Sequence, residues 1–440
     1  MGVLTFKQGI HPECNKEMSK DKPLTKALRP EVVTIPLLQH IGASCKPLVK
    51  KGERVLLGQK IGDTDSFVSA PVHASVSGVV KEIKSIKNPM GREVDAIVIE
   101  ADQEDVLAES IGPQGELSTL TPDQIRKMIR EAGIVGMGGA MFPTHVKLAV
   151  PEGKKPEYFI LNGAECEPYL TVDHRIMIER PEDVVFGLKV LMKAIGVEQG
   201  FIGIEFNKPE AIKEMEAAVA GEAGIEVKTL ETKYPQGGEK MLIKAILNRE
   251  VPAGGLPLDV GVVVNNVTTA VAIADAIKTG MPLVERSVTI SGNGISEPVN
   301  LICRIGTSIE ELLEQAGGFV DQPGKIVLGG PMTGFAQPDL DLPVVKGTSG
   351  ILVMKSDEIE DFDPQPCIKC ARCVDGCPQF LMPVNLANYT EFAMYNELEK
   401  YQVLNCIECG SCSYICPAKR PLMQFIKIGK SEIIARKRTA

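Results

Sequence analysis

No stretch of this sequence is both long and apolar enough to cross a bilayer. Its opening residues, M-G-V-L-T-F-K-Q-G, lack the apolar core and small-residue cleavage site of a secretory leader. Contact with a membrane is therefore expected to be peripheral or made through a partner. Positive charge is not in excess: 48 Lys and Arg stand against 57 Asp and Glu, a net charge of −9, and no large segment is basic. That balance excludes nucleic acid as an expected partner. The dinucleotide fingerprint G-x-G-x-x-G is missing. Histidine is scarce, and His11, His145 and His174 are expected to be surface or structural groups. What is plentiful is length. With ordinary apolar and charged fractions, 440 residues exceed one hydrophobic core and predict three or more domains.

Cysteine is the informative residue type. Eight of twelve fall in two matching runs, Cys367, Cys370, Cys373, Cys377 and Cys406, Cys409, Cys412, Cys416, closed by Pro378 and Pro417. Both read C-x2-C-x2-C-x3-C-P, the run that holds cubane iron–sulfur clusters in two-cluster bacterial ferredoxins. Three thiolates at this spacing can ligate three irons of one cube. In such ferredoxins the cysteine before the proline ligates the other cluster. The expected sets are therefore Cys367, Cys370, Cys373 with Cys416, and Cys406, Cys409, Cys412 with Cys377. A zinc ribbon uses cysteine pairs around a tetrahedral ion and has no use for a third at the same spacing. So many thiols committed to clusters fit a reducing, cytoplasmic setting. Cys14, Cys45, Cys166 and Cys303 are expected to be small apolar residues.

Taken in order, residues 1–30 are polar, contain proline and show no apolar period, as in an arm ordered by docking. From 31 to about 115, short apolar runs alternate with turn residues, which predicts a small β-barrel or sandwich. Its central phrase, residues 69–80, resembles the barrel-sandwich hybrid of lipoyl and biotinyl carriers, but no lysine stands at the tip where a carrier is modified. A packing or docking module is the expectation. Residues 116–283 alternate strand and helix patterns: strands at 158–161, 201–206, 226–230 and 260–264, helices at 182–195, 209–219 and 239–248. That order predicts a parallel sheet with crossovers. Residues 284–356 return to short strands with one helix at 308–315, a β-grasp-like arrangement, and 357–365 read as a linker. Between the cysteine runs, apolar residues at helical spacing predict one helix over 384–401. The tail at 425–438 reads as a short amphipathic helix with a basic end, either solvated or a docking edge for an acidic partner or anionic lipid.

Residues 133–147 are rich in glycine and end in Lys147, a composition that lets backbone amides approach a phosphate or flat ring. Here a resemblance becomes specific. Residues 136–144, G-M-G-G-A-M-F-P-T, resemble the G-R-G-G-A-G-F-P-T loop of the flavin-bearing NADH-oxidising subunit of respiratory complex I. Residues 162–168, N-G-A-E-C-E-P, with Asp173 and Arg175 resemble its N-A-D-E-G-E-P…D-R stretch. Asn265 and Asn266 open a match to N-N-V-E-T, and residues 234–239 match Y-x-C-G-E-E more loosely. The chain throughout 1–440 is similar to the RnfC family, whose members belong to the Rnf complex, a membrane-bound ion-translocating ferredoxin:NAD+ oxidoreductase. G-I-H-P at 9–12, G-G-P-M-T-G at 329–334 and P-V-V-K at 343–346 carry that likeness.

The resemblance implies a multidomain α/β plus β chain: an arm (1–30), a barrel-sandwich hybrid (31–115), a Rossmann-like FMN/NADH domain (116–283), a ligand-binding-like β-grasp domain (284–356) and an α-helical ferredoxin domain with two 4Fe-4S clusters (357–440). It implies that Gly136, Gly138, Gly139 and Lys147 line FMN, that Asn162, Asn265 and Asn266 bond it, and that Glu165 and Glu167 lie near NAD(H). Lys147 would favour the anionic reduced flavin by charge. No acid–base residue is expected, because the cofactor carries hydride chemistry. The implied partners are the other Rnf subunits and, indirectly, ferredoxin, with the chain peripheral on the cytoplasmic side of the inner membrane. Four departures bear on the nucleotide: Met137 replaces arginine, Met141 and Cys166 replace glycine, and Ala164 replaces aspartate. The alternative readings are a cobalamin reductase of diol-utilising microcompartments, a non-catalytic electron-transfer or scaffold protein, and a zinc-binding structural protein.

Overall fold

The N-terminal arm gains its structure by docking. In the computed structural model, which describes residues 3–89, 91–359 and 363–439, Leu4 bridges Leu230 and Ile10 bridges Tyr234. Strand β1 (Leu24–Lys26) then adds a parallel edge in register with Asn300, Leu301 and Ile302. Lys16, 5% exposed, pins the arm by donating to the carbonyls of Glu167 at 3.0 Å and of Leu170.

Seven short strands follow: β2 (Val32–Pro36), β3 (Lys46–Pro47), β4 (Arg54–Val55), β5 (Lys60–Asp63), β6 (Val72–His73), β7 (Gly78–Lys87) and β8 (Glu93–Ala101). They pair as two sheets, β2-β8-β7-β4 and β3-β5-β6, around Val33, Ile35, Ile61, Val72, Ile97 and Ile99. Most of the phrase at 69–78 is buried. Lys346 from beyond the α/β region donates to the Pro71 carbonyl at 2.6 Å, and Ser75 donates to the Ile305 carbonyl at 2.5 Å. Its place is a packing surface between units.

Helix α1 (Pro122–Glu131) starts on a reciprocal capping box between Thr121 and Gln124, with proline at its first position. It buries Ile125 and Ile129 completely, each worth about 1.5–3 kcal/mol. The elements after it are α2 (Thr144–Lys147), β9 (Tyr158–Gly163), α3 (Val172–Glu179), α4 (Pro181–Ile195), β10 (Gln199–Glu205), α5 (Pro209–Ala218), β11 (Ile225–Leu230), α6 (Glu239–Leu247), β12 (Val262–Asn266) and α7 (Val267–Thr279). The four strands are all parallel, in the order β11-β10-β9-β12. Their apolar runs are nearly continuous because helices cover both faces. Helices α4 and α7 cross at Gly187, where a Cβ would lie 2.0 Å from the Ala270 oxygen, so only glycine fits. Helices α3 and α7 carry no clear period in the sequence. The first follows an acidic, proline-bearing turn, and the second is apolar almost all round.

The next unit comprises β13 (Glu285–Ser291), β14 (Val299–Arg304), α8 (Ile309–Gln315), β15 (Pro323–Leu328), β16 (Phe335–Gln337) and β17 (Gly350–Lys355). With β1 it makes a mixed sheet in the order β1-β14-β13-β17-β15-β16, on which α8 buries Ile309, Leu312 and Leu313. Part of the expected linker at 357–365 lies outside the described residues.

The C-terminal unit holds α9 (Arg372–Asp375), α10 (Pro383–Glu391), α11 (Tyr395–Lys400), α12 (Ser411–Tyr414) and α13 (Leu422–Thr439). The single helix expected over 384–401 is two. The break falls at residues 392–394, where Ala393 takes a φ of +52°, and the turn lets the rings of Tyr389 and Tyr401 meet edge-on at 5.0 Å. At the basic end of α13, Arg436 lies over the Tyr395 ring and Lys437 pairs with Glu399 at 3.1 Å, which engages both cations inside the unit.

Candidate functional site

Strand β9 runs first, the chain then adds β10 and β11 on one side, and β12 returns to the other. The strand order therefore reverses between β9 and β12, and open parallel sheets bind ligands at the carboxyl ends of such a pair. Asn162 and Asn266 are register partners near the ends of these strands. Asn266 also caps α7 by accepting from the Thr268 amide at 2.8 Å, while its Nδ2 donates to Asp173 at 2.7 Å and to the Asn162 carbonyl at 3.4 Å. Thr268 Oγ1 donates to the other Asp173 oxygen at 2.6 Å.

The glycine-rich loop lies over this edge. The Met137 amide donates to Thr269 Oγ1 at 3.1 Å, and a Cβ at Gly138 would come within 3.1 Å of Asn266. A Cβ at Gly139, by contrast, would meet nothing within 4 Å. Asn265, 5% exposed, keeps an unpartnered Nδ2. An open glycine beside an orphaned buried amide suits a polar, ring-bearing phosphate ester such as FMN. Lys147 is engaged differently from expectation: its ammonium donates to Glu239 at 2.9 Å and to the Val264 carbonyl at 2.7 Å, so its charge is already paired.

Glu165 and Glu167 turn inward. Glu165 accepts from the amides of Asp173 at 2.7 Å and His174 at 3.4 Å, with Lys16 3.7 Å away. Burial raises its pKa, against the pull of Lys16. Glu167 accepts from the amides of Met332 at 3.1 Å and Thr333 at 2.8 Å and from the Thr333 hydroxyl at 3.0 Å, and burial raises its pKa also. Between them, Cys166 Sγ accepts from the Gly237 amide at 3.2 Å, and burial pushes that thiol far above its ordinary range. The Met332 and Thr333 contacts escaped the sequence reading, although they belong to the G-G-P-M-T-G phrase.

The two cysteine runs adopt one backbone trace. In each, the residue two places after the first cysteine has a φ of +57° (Lys369, Glu408) and donates its amide to that cysteine's sulfur at 3.4 Å (Cys367, Cys406). Ala371 and Gly410 then open α9 and α12 from the left-handed region, and the two short helices pack together. This packing crosses the runs. Cys377 sits with Cys406, Cys409 and Cys412 around one cavity, lined further by Leu386 and Met423. Cys416 is a charge neighbour of Cys373, which also faces Cys367 and Cys370. Burial pushes the Cys406 thiol up to about 11 and Cys412 higher still. Among the described residues no three His, Cys, Asp or Glu converge on one ion. A cubane does not ask for that, since each thiolate takes a separate iron, and amide donors to sulfur suit a cluster. The second group is buried, with Cys377, Cys406 and Cys412 at 8%, 9% and 5% exposure, whereas Cys367 and Cys370 are exposed.

Comparison with known proteins agrees with this layout. Family models match at residues 4–104 (RnfC barrel sandwich hybrid domain), 129–275 (Nuo51 FMN-binding domain), 287–336 (SLBB domain) and 360–417 (4Fe-4S dicluster domain). An RnfC-type component of the Na(+)-translocating ferredoxin:NAD(+) oxidoreductase complex of Acetobacterium woodii is 50% identical, over 99% of this chain and 98% of that one. Its counterpart in the proton-translocating ferredoxin:NAD(+) oxidoreductase complex of Clostridium ljungdahlii is 49% identical over 97% and 94%. The counterpart in the ion-translocating oxidoreductase complex of Rhodobacter capsulatus is 40% identical over 98% and 84%. Among solved structures, a chain of an NAD+-reducing [NiFe]-hydrogenase in the air-oxidized state shares the fold with a TM-score of 0.52 at 19% identity, over 75% of this chain and 73% of that one.

Proposed function

The chain belongs to the RnfC family of ion-translocating ferredoxin:NAD(+) oxidoreductase complexes, and on that premise we propose that it passes electrons between NAD(H), a bound FMN and two 4Fe-4S clusters. Gly136, Gly138 and Gly139 would give the flavin its backbone approach, and Asn162, Asn265 and Asn266 its hydrogen bonds. Lys147 would act near the flavin as a neutral pair with Glu239, not as a free charge. Glu165 and Glu167, held by backbone amides, would keep the 162–168 loop in place beside the nicotinamide. Cys367, Cys370, Cys373 and Cys416 would hold one cluster, and Cys406, Cys409, Cys412 and Cys377 the other. Bound there, the flavin supplies hydride exchange with nicotinamide and single-electron exchange with the clusters.

The observation that carries this reading is one of position. The glycine loop and three asparagines meet at the switch point of the parallel sheet, and the 234–238 segment joins that edge to the buried cysteine group. Among the described residues no helix is long and apolar enough to cross a membrane. The chain is accordingly proposed to sit peripherally, on the cytoplasmic side, against other members of the complex, with ferredoxin reached through them. Cofactor analysis of anaerobically purified protein tests the assignment. The expected content is about one flavin and about eight irons with matching acid-labile sulfide per chain. Zinc in place of iron, or iron without flavin, refutes it.

A further inference from the structure

The two cysteine groups are not equivalent toward the flavin edge, and two separate lines of contact run from that edge to the loop 406–410. Along the first, Asn162 Nδ2 donates to the Gly237 carbonyl at 2.8 Å, and Tyr234, three residues earlier and 3% exposed, donates its phenol to the Cys409 carbonyl at 2.7 Å. Gly238 in the same segment faces Ile407, whose Cδ1 would lie 3.8 Å from a Cβ there. Along the second, Glu167 holds the amides of Met332 and Thr333, and the Met332 carbonyl presses on Gly410, where a Cβ would meet it at 2.8 Å. Each line starts in the 162–168 loop and ends on the second cysteine run. At the other group, Cys367 and Cys370 are exposed, as are their neighbour Ile368 at 66% and Phe380 at 62%.

From this asymmetry we infer that the cluster of Cys377, Cys406, Cys409 and Cys412 is the one that exchanges electrons with the flavin, and that Tyr234 is the positioning residue that clamps its loop to the flavin edge. The cluster of Cys367, Cys370, Cys373 and Cys416 is then the outer station. The inference rests on the proposed function and adds the order of the centres to it. The electrons balance simply. NADH gives up a hydride, becoming NAD+. The two electrons leave the flavin one at a time through the inner cluster, each cluster takes one, and the proton is released to water. Tyr234 neither gains nor loses an electron. Its O–H dipole points toward the inner cluster's loop, and hydrogen bonds of this kind help set cluster potentials.

Two ligand-removal variants and one conservative variant test the order, all anaerobic and read by low-temperature electron paramagnetic resonance after NADH addition. Cys367→Ser with Cys370→Ser should lose about half the iron, and the remaining cluster should still be reduced by NADH in the wild-type time. Cys406→Ser with Cys409→Ser should keep an outer cluster that dithionite reduces and NADH does not. Tyr234→Phe should retain its flavin and the outer cluster's spectrum, while the inner cluster's midpoint potential moves to more negative values. A merely structural tyrosine would not produce that selective shift. The reverse pattern in the cysteine variants, or a Tyr234→Phe protein with both potentials unchanged, overturns the inference. Wild-type protein whose flavin fails to bleach with NADH would instead overturn the proposed function on which it stands.

Discussion

At the residue scale, departures from the complex I loop resolve into packing. Met137 stands where that loop has arginine, yet a guanidinium arrives from elsewhere: Arg286 on β13, 2% exposed, donates to the Met137 carbonyl at 3.1 Å, and burial lowers its pKa to about 10. Met141 is accommodated by Gly347, where a Cβ would sit 2.2 Å from the methionine sulfur. Gly347→Ala is therefore expected to displace Met141, to cost about 1–3 kcal/mol by overpacking and to lower flavin retention. Adding Met141→Ala should restore both, as thermal melts and flavin content would show. The sequence exposes the substitutions but not these compensations, because Arg286 and Gly347 lie far away along the chain. Buried histidines give a second expectation. Burial, helped by the charge of Lys346, lowers His40 to about 4 and His73 to about 3, and burial with Lys208 nearby lowers His174 to about 3. A histidine whose pKa is depressed on folding contributes stability above its unfolded value near 6.5 and loses it as pH falls toward the folded value. Each should cost about 1.4 kcal/mol between about pH 7.5 and about pH 5.5. Denaturant midpoints at the two pH values, with His73→Asn flattening the dependence, check this.

At the element scale, what could be read in advance followed local chemistry. The capping box of α1, the proline and first-turn acids of α4 and the β-branched run of β12 are written in neighbouring residues. The repeated cysteine spacing likewise fixes a repeated trace, down to the two residues at +57°. Elements without a local signature were missed or merged: α7, apolar almost all round, and the break between α10 and α11, which tertiary packing imposes. The inward turn of Glu165 and Glu167 was also hidden, since their partners are amides at 173–174 and 332–333. Glu167→Ala should release the 330–334 loop at a cost of about 1–3 kcal/mol. Faster hydrogen exchange at the Met332 and Thr333 amides would register it, and unchanged protection would count against the clamp.

At the scale of the whole molecule, the arm does more than its composition suggests. It adds a strand to the mixed sheet, bridges the edge of the parallel sheet at Leu4 and brings Ile10 against Gly376 beside Cys377. Lys16 is its anchor, so Lys16→Met would leave the buried Glu165 carboxylate without its cation and should cost about 3–5 kcal/mol. A melting temperature equal to wild type would contradict that role. The order of units along the chain was legible because each has its own pattern and charge. Their mutual contacts were not, because they depend on pairs such as Lys346 with Pro71 and Tyr234 with Cys409.

The central claim is that a two-electron carrier held at the switch point of the parallel sheet trades with one-electron centres held by the eight C-terminal cysteines. An anaerobic NADH titration followed at once by visible absorption and by electron paramagnetic resonance tests it most directly. The account predicts flavin bleaching together with the appearance of reduced-cluster signals. Clusters that respond to dithionite but stay silent to NADH while the flavin is present would contradict it.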